Sequence, residues 1–154
     1  MLVKLSDLTR GRRRLEFSLP VVDVREAIGD RPDIDHLGGA HVVCDAELVD
    51  RTLNLRGDIS IGLRGACDRC ADDFEAAIRL PWRLILVPSR HRPGPEVEDI
   101  EFGYYSGEIL DLARHALDGI GLSFPEILLC RPDCKGICPD CRANLNREPC
   151  RCPS

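Results

Sequence analysis

The chain has 154 residues and a formal net charge of −5, with 44% hydrophobic and 31% charged residues. This length suits a single domain, and the composition is typical of a folded globular protein rather than a disordered or fibrous one. The negative net charge argues against a protein that coats polyanions through its overall charge. No apolar run reaches the length of about 18 residues that a membrane span needs, and no export signal is recognisable, so we expect a cytoplasmic protein with no membrane partner.

Charge alternates in blocks along the chain. Residues 1–15 sum to +4 and residues 51–92 to +3, whereas residues 16–50 and 93–126 each sum to −7. If the two basic blocks meet in the fold, they form a local surface for a polyanion. Otherwise they are ordinary solvated faces.

Alternating apolar and polar residues predict three successive strands in the middle of the chain. The first lies within residues 41–50, the second begins at Leu53 and the third begins at Phe74. The short connections favour an antiparallel meander with one buried face. Pro81 cannot donate a hydrogen bond to a neighbouring strand, so we expect an edge, a bulge or a bend there. The polar positions of the second and third strands include Arg56, Arg64, Arg79 and Arg83.

A loop and a helix are predicted after the meander. The start of this region is rich in proline and charge, which indicates a loop. Apolar residues at helical spacing then predict a helix that begins near Ser106 or Gly107 and ends at Gly119 or Gly121. The sequence also predicts a shorter helix over 22–28.

These patterns predict one α+β domain in which an antiparallel β meander packs against at least one helix and ends in a cysteine-rich zinc tail. In chain order, we expect an N-terminal segment (1–37), a meander core (38–87), a loop (88–107), a helical segment (108–129) and a cysteine-rich tail (130–154).

The strongest chemical signal is the spacing of the nine cysteines, eight of which form close pairs. The pairs are Cys67 with Cys70, Cys130 with Cys134, Cys138 with Cys141, and Cys150 with Cys152. Zinc takes four thiolates tetrahedrally, and two cysteines in a tight turn supply one edge of that tetrahedron. In a reducing compartment such pairs are more often metal ligands than disulfides. The sequence therefore predicts zinc as cofactor, while we expect the ninth cysteine, Cys44, to be a small core residue.

Four pairs can form two four-cysteine sites in three ways. The short loop between Cys141 and Cys150 favours one local site in the tail, which leaves the pair at Cys67 to bind together with Cys130 and Cys134. A tail site that includes Cys134 stays open as an alternative. A thioredoxin-like redox motif at Cys67 is disfavoured because it would need a helix N-terminus.

No catalytic pattern is recognisable in the sequence. The four histidines show no HExxH spacing, and no glycine-rich phosphate loop is present. The sequence thus nominates no catalytic residue and no small-molecule substrate.

The ordered motifs resemble the bacterial YceD family, which is described as large ribosomal RNA subunit accumulation proteins. The resemblance rests on the CDRC motif at Cys67, the helical stretch ILDLARHALDGI, and the tail CRPDCKGICPDCRANLN that closes on CRC at Cys150. It covers the chain from about Gly38 onward. One departure is Arg142, because the family leads us to expect glycine after the second cysteine of this turn.

The resemblance implies a non-enzymatic factor that supports synthesis, processing or accumulation of the large-subunit (23S) rRNA. That RNA, its precursor particles or ribosomal proteins are the implied partners. Direct RNA contact would need arginines close to phosphates. The candidates are Arg12, Arg13, Arg14, Arg64, Arg69, Arg90 and Arg92.

A different class of function also fits the acidic segments. In this alternative, a zinc-stabilised adaptor docks on a basic ribosomal protein or assembly factor without touching RNA. A metal-dependent hydrolase is disfavoured, because four thiolates leave zinc no position for a reactive water.

Overall fold

The computed structural model describes residues 1–9, 11–91 and 102–152, which form seven strands and two α-helices. In chain order these are β1 (Leu2–Lys4), β2 (Arg13–Leu19), α1 (Val21–Ile28), β3 (Ile34–Val49), β4 (Thr52–Ala66), β5 (Asp73–Pro88), β6 (Phe102–Tyr105), β7 (Ile109–Asp111) and α2 (Leu112–Ser123). Short 3-10 turns, Leu5–Leu8 and Ser89–His91, follow β1 and β5. Among the described residues, no helix combines the length and apolar character that crossing a membrane would require.

A five-stranded sheet in the order β2-β3-β4-β5-β6 forms the body of the fold. The first four strands are antiparallel to their neighbours, whereas β6 runs parallel to β5. The predicted α+β class and antiparallel meander are thus confirmed, with β3, β4 and β5 as the meander. A separate small sheet pairs β1 with β7.

The turn between β3 and β4 fixes how these two long strands are aligned. Asp50 and Arg51 both have positive φ, 46° and 67°, as a two-residue hairpin turn of the I′ type requires. Tyr105 of β6 donates a 2.7 Å hydrogen bond from its hydroxyl to the carbonyl of Arg51. The turn therefore sets the register, and β6 holds the turn in place.

One face of the sheet is buried and the other is open, as the alternation predicts. The buried face contributes large apolar side chains from β4 and β5, namely Leu53, Leu55, Ile59, Ile61, Leu80, Trp82 and Leu86. Val24 of α1 and Ile120 of α2 are fully buried in the same core. Cys44 also lies there, and burial raises the pKa of its thiol to about 11.

Some boundaries differ from the sequence-based expectation. The predicted N-terminal segment contributes β2 and the first residues of β3 to the sheet, and β6 lies in the region predicted as a loop. At four residues, β6 is too short to give a recognisable alternation. Residues 92–101 of that region lie outside the described residues. Pro81 pairs with Asp58 of β4 on one side, and in the described ranges of the chain no strand pairs with it on the other side, since the described β5–β6 pairing begins at Ile85. Pro81 thus occupies an edge position among the described residues.

Both ends predicted for the second helix are wrong. Asp111 is the N-cap, and its side chain accepts a 3.1 Å hydrogen bond from the backbone N–H of Ala113. The helix cannot begin near Gly107 because Ile109–Asp111 pair with β1 instead. At the other end, the helix continues through both glycines to Ser123.

Close packing explains why α2 contains two glycines. A Cβ at Gly119 would lie 2.9 Å from Cδ1 of Trp82, and one at Gly121 would lie 2.9 Å from the carbonyl oxygen of Ala27 in α1. Both distances are shorter than van der Waals contact. The glycines therefore let α2 approach β5 and α1 and do not end the helix.

Replacing Gly119 with valine should lower the free energy of unfolding by about 1–3 kcal/mol, the usual cost of overpacking. Urea denaturation of the full chain measures this. Leu122→Val is the matched control, because Leu122 is 81% exposed on the same helix, and it should change the value by less than about 0.5 kcal/mol. An equal loss in both variants would contradict the assigned contact with Trp82.

Candidate metal centre

The structure gathers eight thiols into two groups of four, with all Sγ atoms in each group within 4.8 Å of one another. The first cluster consists of Cys67, Cys70, Cys130 and Cys134. The second cluster consists of Cys138, Cys141, Cys150 and Cys152. Cys134 thus lies with the hairpin pair and not with the tail.

The sulfur spacing suits a tetrahedral metal ion. Close Sγ–Sγ distances are 3.7 and 3.8 Å in the first cluster and 3.6–3.8 Å in the second. A tetrahedron with metal–sulfur bonds of about 2.3 Å has edges of roughly 3.8 Å. A disulfide would instead require about 2.05 Å. Each cluster could therefore hold one metal ion through four sulfur ligands.

The first Cys-X-X-Cys turn lies at the tip of the β4–β5 hairpin. The backbone N–H of Cys67 donates to the carbonyl of Asp72 at 3.0 Å, and the N–H of Ala71 donates back to the carbonyl of Cys67 at 2.8 Å. Ala71 has a φ of 56°, in the left-handed region that favours glycine. The turn is therefore tight enough to direct both thiols to the same side.

The second Cys-X-X-Cys turn repeats this geometry. The N–H of Cys138 donates to the carbonyl of Ala143 at 2.9 Å, and the N–H of Arg142 donates to the carbonyl of Cys138 at 3.0 Å. Arg142 has a φ of 58°, so the residue that departs from the expected glycine occupies a backbone conformation that glycine adopts without strain.

Each cluster contains one thiol that is unusually acidic. Burial raises the pKa of Cys67, but hydrogen bonds from surrounding backbone N–H groups outweigh it and lower the pKa to about 6. The backbone N–H of Arg151, 3.4 Å away, leads the contacts that lower the pKa of Cys141 to about 6. Burial raises the pKa of Cys70 to about 12, and neighbouring thiols do the same for Cys152. A bound cation would supply the charge needed to hold Cys70 and Cys152 as thiolates as well.

The first cluster joins the hairpin to the chain that follows α2. Asp68 forms two hydrogen bonds with Leu128: its N–H donates to the Leu128 carbonyl at 2.9 Å, and its carboxylate accepts from the Leu128 N–H at 2.5 Å. Arg69 donates from Nη1 to the carbonyl of Cys134 at 3.1 Å, and its own carbonyl accepts from the N–H of Ile137 at 2.9 Å. Arg69, a candidate for RNA contact, thus makes its contacts within the cluster.

The second cluster is attached to the first by polar contacts. Asn144 donates from Nδ2 to a carboxylate oxygen of Asp72 at 3.1 Å, and Arg147 pairs with the other oxygen at 2.9 Å. Asn146 donates from Nδ2 to the sulfur of Cys134 at 3.3 Å. These contacts therefore fix the tail to the first cluster, and the β4–β5 hairpin tip connects the first cluster to the sheet.

The structure disperses most of the arginines predicted to contact RNA. Arg12 lies 4.0 Å from Glu47, and Arg13 donates to the carbonyl of Asp7. Arg64 and Arg90 are exposed elsewhere, and Arg92 lies outside the described residues. Arg14 instead lines a groove on the open face of the sheet.

Three further arginines in this groove, Arg56, Arg79 and Arg83, are absent from the predicted set. Strand alternation places each of them on the polar face of its strand. The alternation could not show that they lie close to one another, because that depends on the register.

Substitutions at Arg142 test the strain in the second turn. Arg142→Gly should bind Zn²⁺ about two- to fivefold more tightly than Arg142→Ala, because alanine keeps the Cβ in the left-handed region. Both variants remove the same side chain, so their charge is matched. Competition with a zinc-binding dye measures the affinity, and equal affinities would contradict the strain.

Both cysteine clusters lie within the part of the chain that a known protein family matches. The family described as large ribosomal RNA subunit accumulation protein YceD matches residues 55–154. An uncharacterized protein of Mycobacterium bovis is 28% identical over 103 residues, which cover 67% of this chain and 50% of that protein. An uncharacterized protein of Mycobacterium leprae is 22% identical over 103 residues, 67% of this chain and 48% of that protein.

A plant protein carries a functional name. The Arabidopsis thaliana chloroplastic protein named large ribosomal RNA subunit accumulation protein YCED homolog 1 is 22% identical over 160 residues, 84% of this chain and 47% of that protein. The chain thus spans about half the length of the curated relatives it matches. No solved structure matches it. Since the family match extends over well more than half of the sequence, including both cysteine clusters, the chain belongs to the YceD family.

Proposed function

We propose that this protein is a non-enzymatic cytoplasmic factor that supports the synthesis, processing or accumulation of large-subunit rRNA. Its two cysteine clusters hold structural zinc in this proposal. The observation that carries it is the family match over residues 55–154, which includes all eight clustered cysteines. The family is named for accumulation of this RNA.

Zinc is the ion that best suits the two clusters. Four sulfur ligands in a tetrahedron favour zinc or an iron–sulfur site, and zinc needs no redox partner. Four thiolates fill the tetrahedral positions, so the ion has none left for the exchangeable water of a hydrolase. The zinc therefore supplies folding energy, and the surfaces that it positions carry the function.

Bound zinc makes the protein more acidic. Each centre combines one divalent cation with four thiolates and carries a charge of −2, so two centres shift the nominal net charge from −5 to −9. A chain this acidic has little affinity for arbitrary RNA at physiological ionic strength. Association with large-subunit precursors then depends on local surfaces.

A specific observation favours a protein adaptor as the second candidate function. The groove between α1 and α2 is lined by the carboxylates of Asp23, Glu26 and Asp118, with Arg114 as their cationic neighbour. Leu122, 81% exposed, lies at the same groove. An acidic rim beside an exposed leucine suits a basic, partly apolar protein segment.

Protein purified without added metal should contain two zinc ions per chain by elemental analysis. Cys138→Ser should retain one zinc and lose amide protection only in the tail. Cys67→Ser should loosen the segment after α2 and the tail together, because the second cluster is attached to the first through Asp72 and Cys134. Hydrogen exchange locates these losses.

Cys44→Ala is the control for these variants, because Cys44 lies in the core and outside both clusters. It should keep both zinc ions. The assignment would be contradicted by disulfides in freshly purified protein or by a different metal. It would also be contradicted if both serine variants lost amide protection only in the tail.

Depletion of the protein from its own cells should lower large-subunit rRNA relative to small-subunit rRNA, and re-expression should restore the ratio. Gel quantification of the two rRNAs measures it. An unchanged ratio, together with a tagged protein that sediments apart from large-subunit precursors, would overturn the proposed function. Co-sedimentation with crosslinks only to protein would support the adaptor.

A further inference from the structure

The open face of the sheet carries a groove of about 560 Å³ that spans β2 to β5. We call it the sheet groove. Its charged lining residues are Arg14, Arg56, Arg79, Arg83, Asp45 and Asp58. Four guanidinium groups thus face two carboxylates, a local excess of positive charge on a chain whose net charge is −5. The two basic blocks of the sequence meet here.

Strand register arranges these side chains in a row across the sheet. Asp45 of β3 stands opposite Arg14 of β2 on one side and opposite Arg56 of β4 on the other. Arg56 stands directly opposite Arg83 of β5. Like charges directly opposite on neighbouring strands destabilise a sheet. This pair therefore costs stability in the free protein, and an anion bound between the two arginines would remove that cost.

The arginines of the row keep their hydrogen-bonding capacity. Arg79 is neutralised by Asp58, whose carboxylate lies 2.7 Å away. Within the part of the chain that the structure describes, Arg14, Arg56 and Arg83 have no carboxylate within 4.0 Å and donate no side-chain hydrogen bond. Three exposed guanidinium groups are thus available to one ligand.

The spacing and chemistry of the row suit the backbone of RNA. Neighbouring strands lie about 4.8 Å apart, so Arg56 and Arg83 can bind one phosphate between them, while Arg14, two strands from Arg56, reaches a second about 10 Å away. Guanidinium groups bind phosphate oxygens bidentately. Among the described residues that line the groove, none is aromatic and could stack on a base, so the contact that these residues offer is to the backbone and not to base identity.

We propose that Arg14, Arg56 and Arg83 on the open face of the sheet form an RNA-backbone binding surface. This inference rests on the proposed function and names the surface by which the protein contacts the RNA. Binding at this face is compatible with an acidic protein, because the attraction to phosphate is confined to the arginines of the sheet groove. The remaining acidic surface repels RNA. A carboxylate-rich protein segment is the competing ligand for the same arginines.

The test compares two double variants of the zinc-loaded full chain. Arg56→Gln/Arg83→Gln removes the opposed pair, and Lys4→Gln/Arg25→Gln removes the same charge from exposed positions outside the sheet groove. The probe is a short single-stranded RNA of mixed sequence, titrated by fluorescence anisotropy from low salt up to physiological salt. Binding should be measurable at low salt and weak at physiological ionic strength. Removing opposed like charges should not weaken the sheet, so the first variant should unfold no more easily than the native protein.

The first variant should lose affinity about tenfold or more. Its log–log salt slope should shrink by about 0.7, since Arg56 and Arg83 share one phosphate and each phosphate contact to a single strand contributes about 0.7. The control should keep both values close to native. The proposal would be overturned if the first variant bound RNA as tightly as the native chain, or if both variants lost the same amount of RNA affinity. It would also be overturned if the native chain bound no RNA, or if this face crosslinked only to acidic protein.

A cellular arm separates this proposal from the proposed function. In depleted cells, Arg56→Gln/Arg83→Gln should fail to restore large-subunit rRNA, whereas Lys4→Gln/Arg25→Gln should restore it. Full restoration by the first variant would overturn the binding surface and leave the proposed function intact. An absence of any rRNA change on depletion would instead overturn the function itself.

Discussion

The convergence of four thiols in the first cluster is the interaction on which the C-terminal third of the fold depends. Two thiols come from the β4–β5 hairpin tip and two from the chain that leaves α2. The sulfurs of Cys67 and Cys134, 67 residues apart in sequence, lie 3.8 Å from each other. A bound metal would close this long loop, hold α2 over the core and provide Asp72 and Cys134 as the base for the second cluster.

Much of the fold could be predicted because its strands are long and half-buried. Alternation over residues 41–50 of β3 and along β4 and β5 identifies the meander, since the period of two persists over most of these segments. The first residues of β3 could not be predicted in this way, because register shifts there break the period. β6 could not be predicted, because four residues give no reliable period. The end of α2 was predicted wrongly because Gly119 serves a tertiary contact with Trp82, which local rules for helix ends do not include.

The two sites differ in how far the sequence reveals them. Metal chemistry constrains cysteine spacing locally, so the pairs can be read from the sequence alone. The sheet groove depends on register, which the Asp50–Arg51 turn sets between β3 and β4 and the turn between Cys67 and Asp72 sets between β4 and β5. Only the second of these registers places Arg56 opposite Arg83. Arg69 illustrates the reverse case. Its charge suggests a partner, yet its guanidinium donates to the carbonyl of Cys134.

X-ray absorption at the zinc K-edge of the purified protein tests the central claim most directly, because it reports ligand type, number and distance together. The account predicts an average of four sulfur ligands at about 2.3 Å and no oxygen or nitrogen ligand. Such a result means that both clusters are closed and structural. A mixed sulfur and oxygen shell, or fewer than four sulfurs per zinc, would contradict the account, because it would leave an open coordination position.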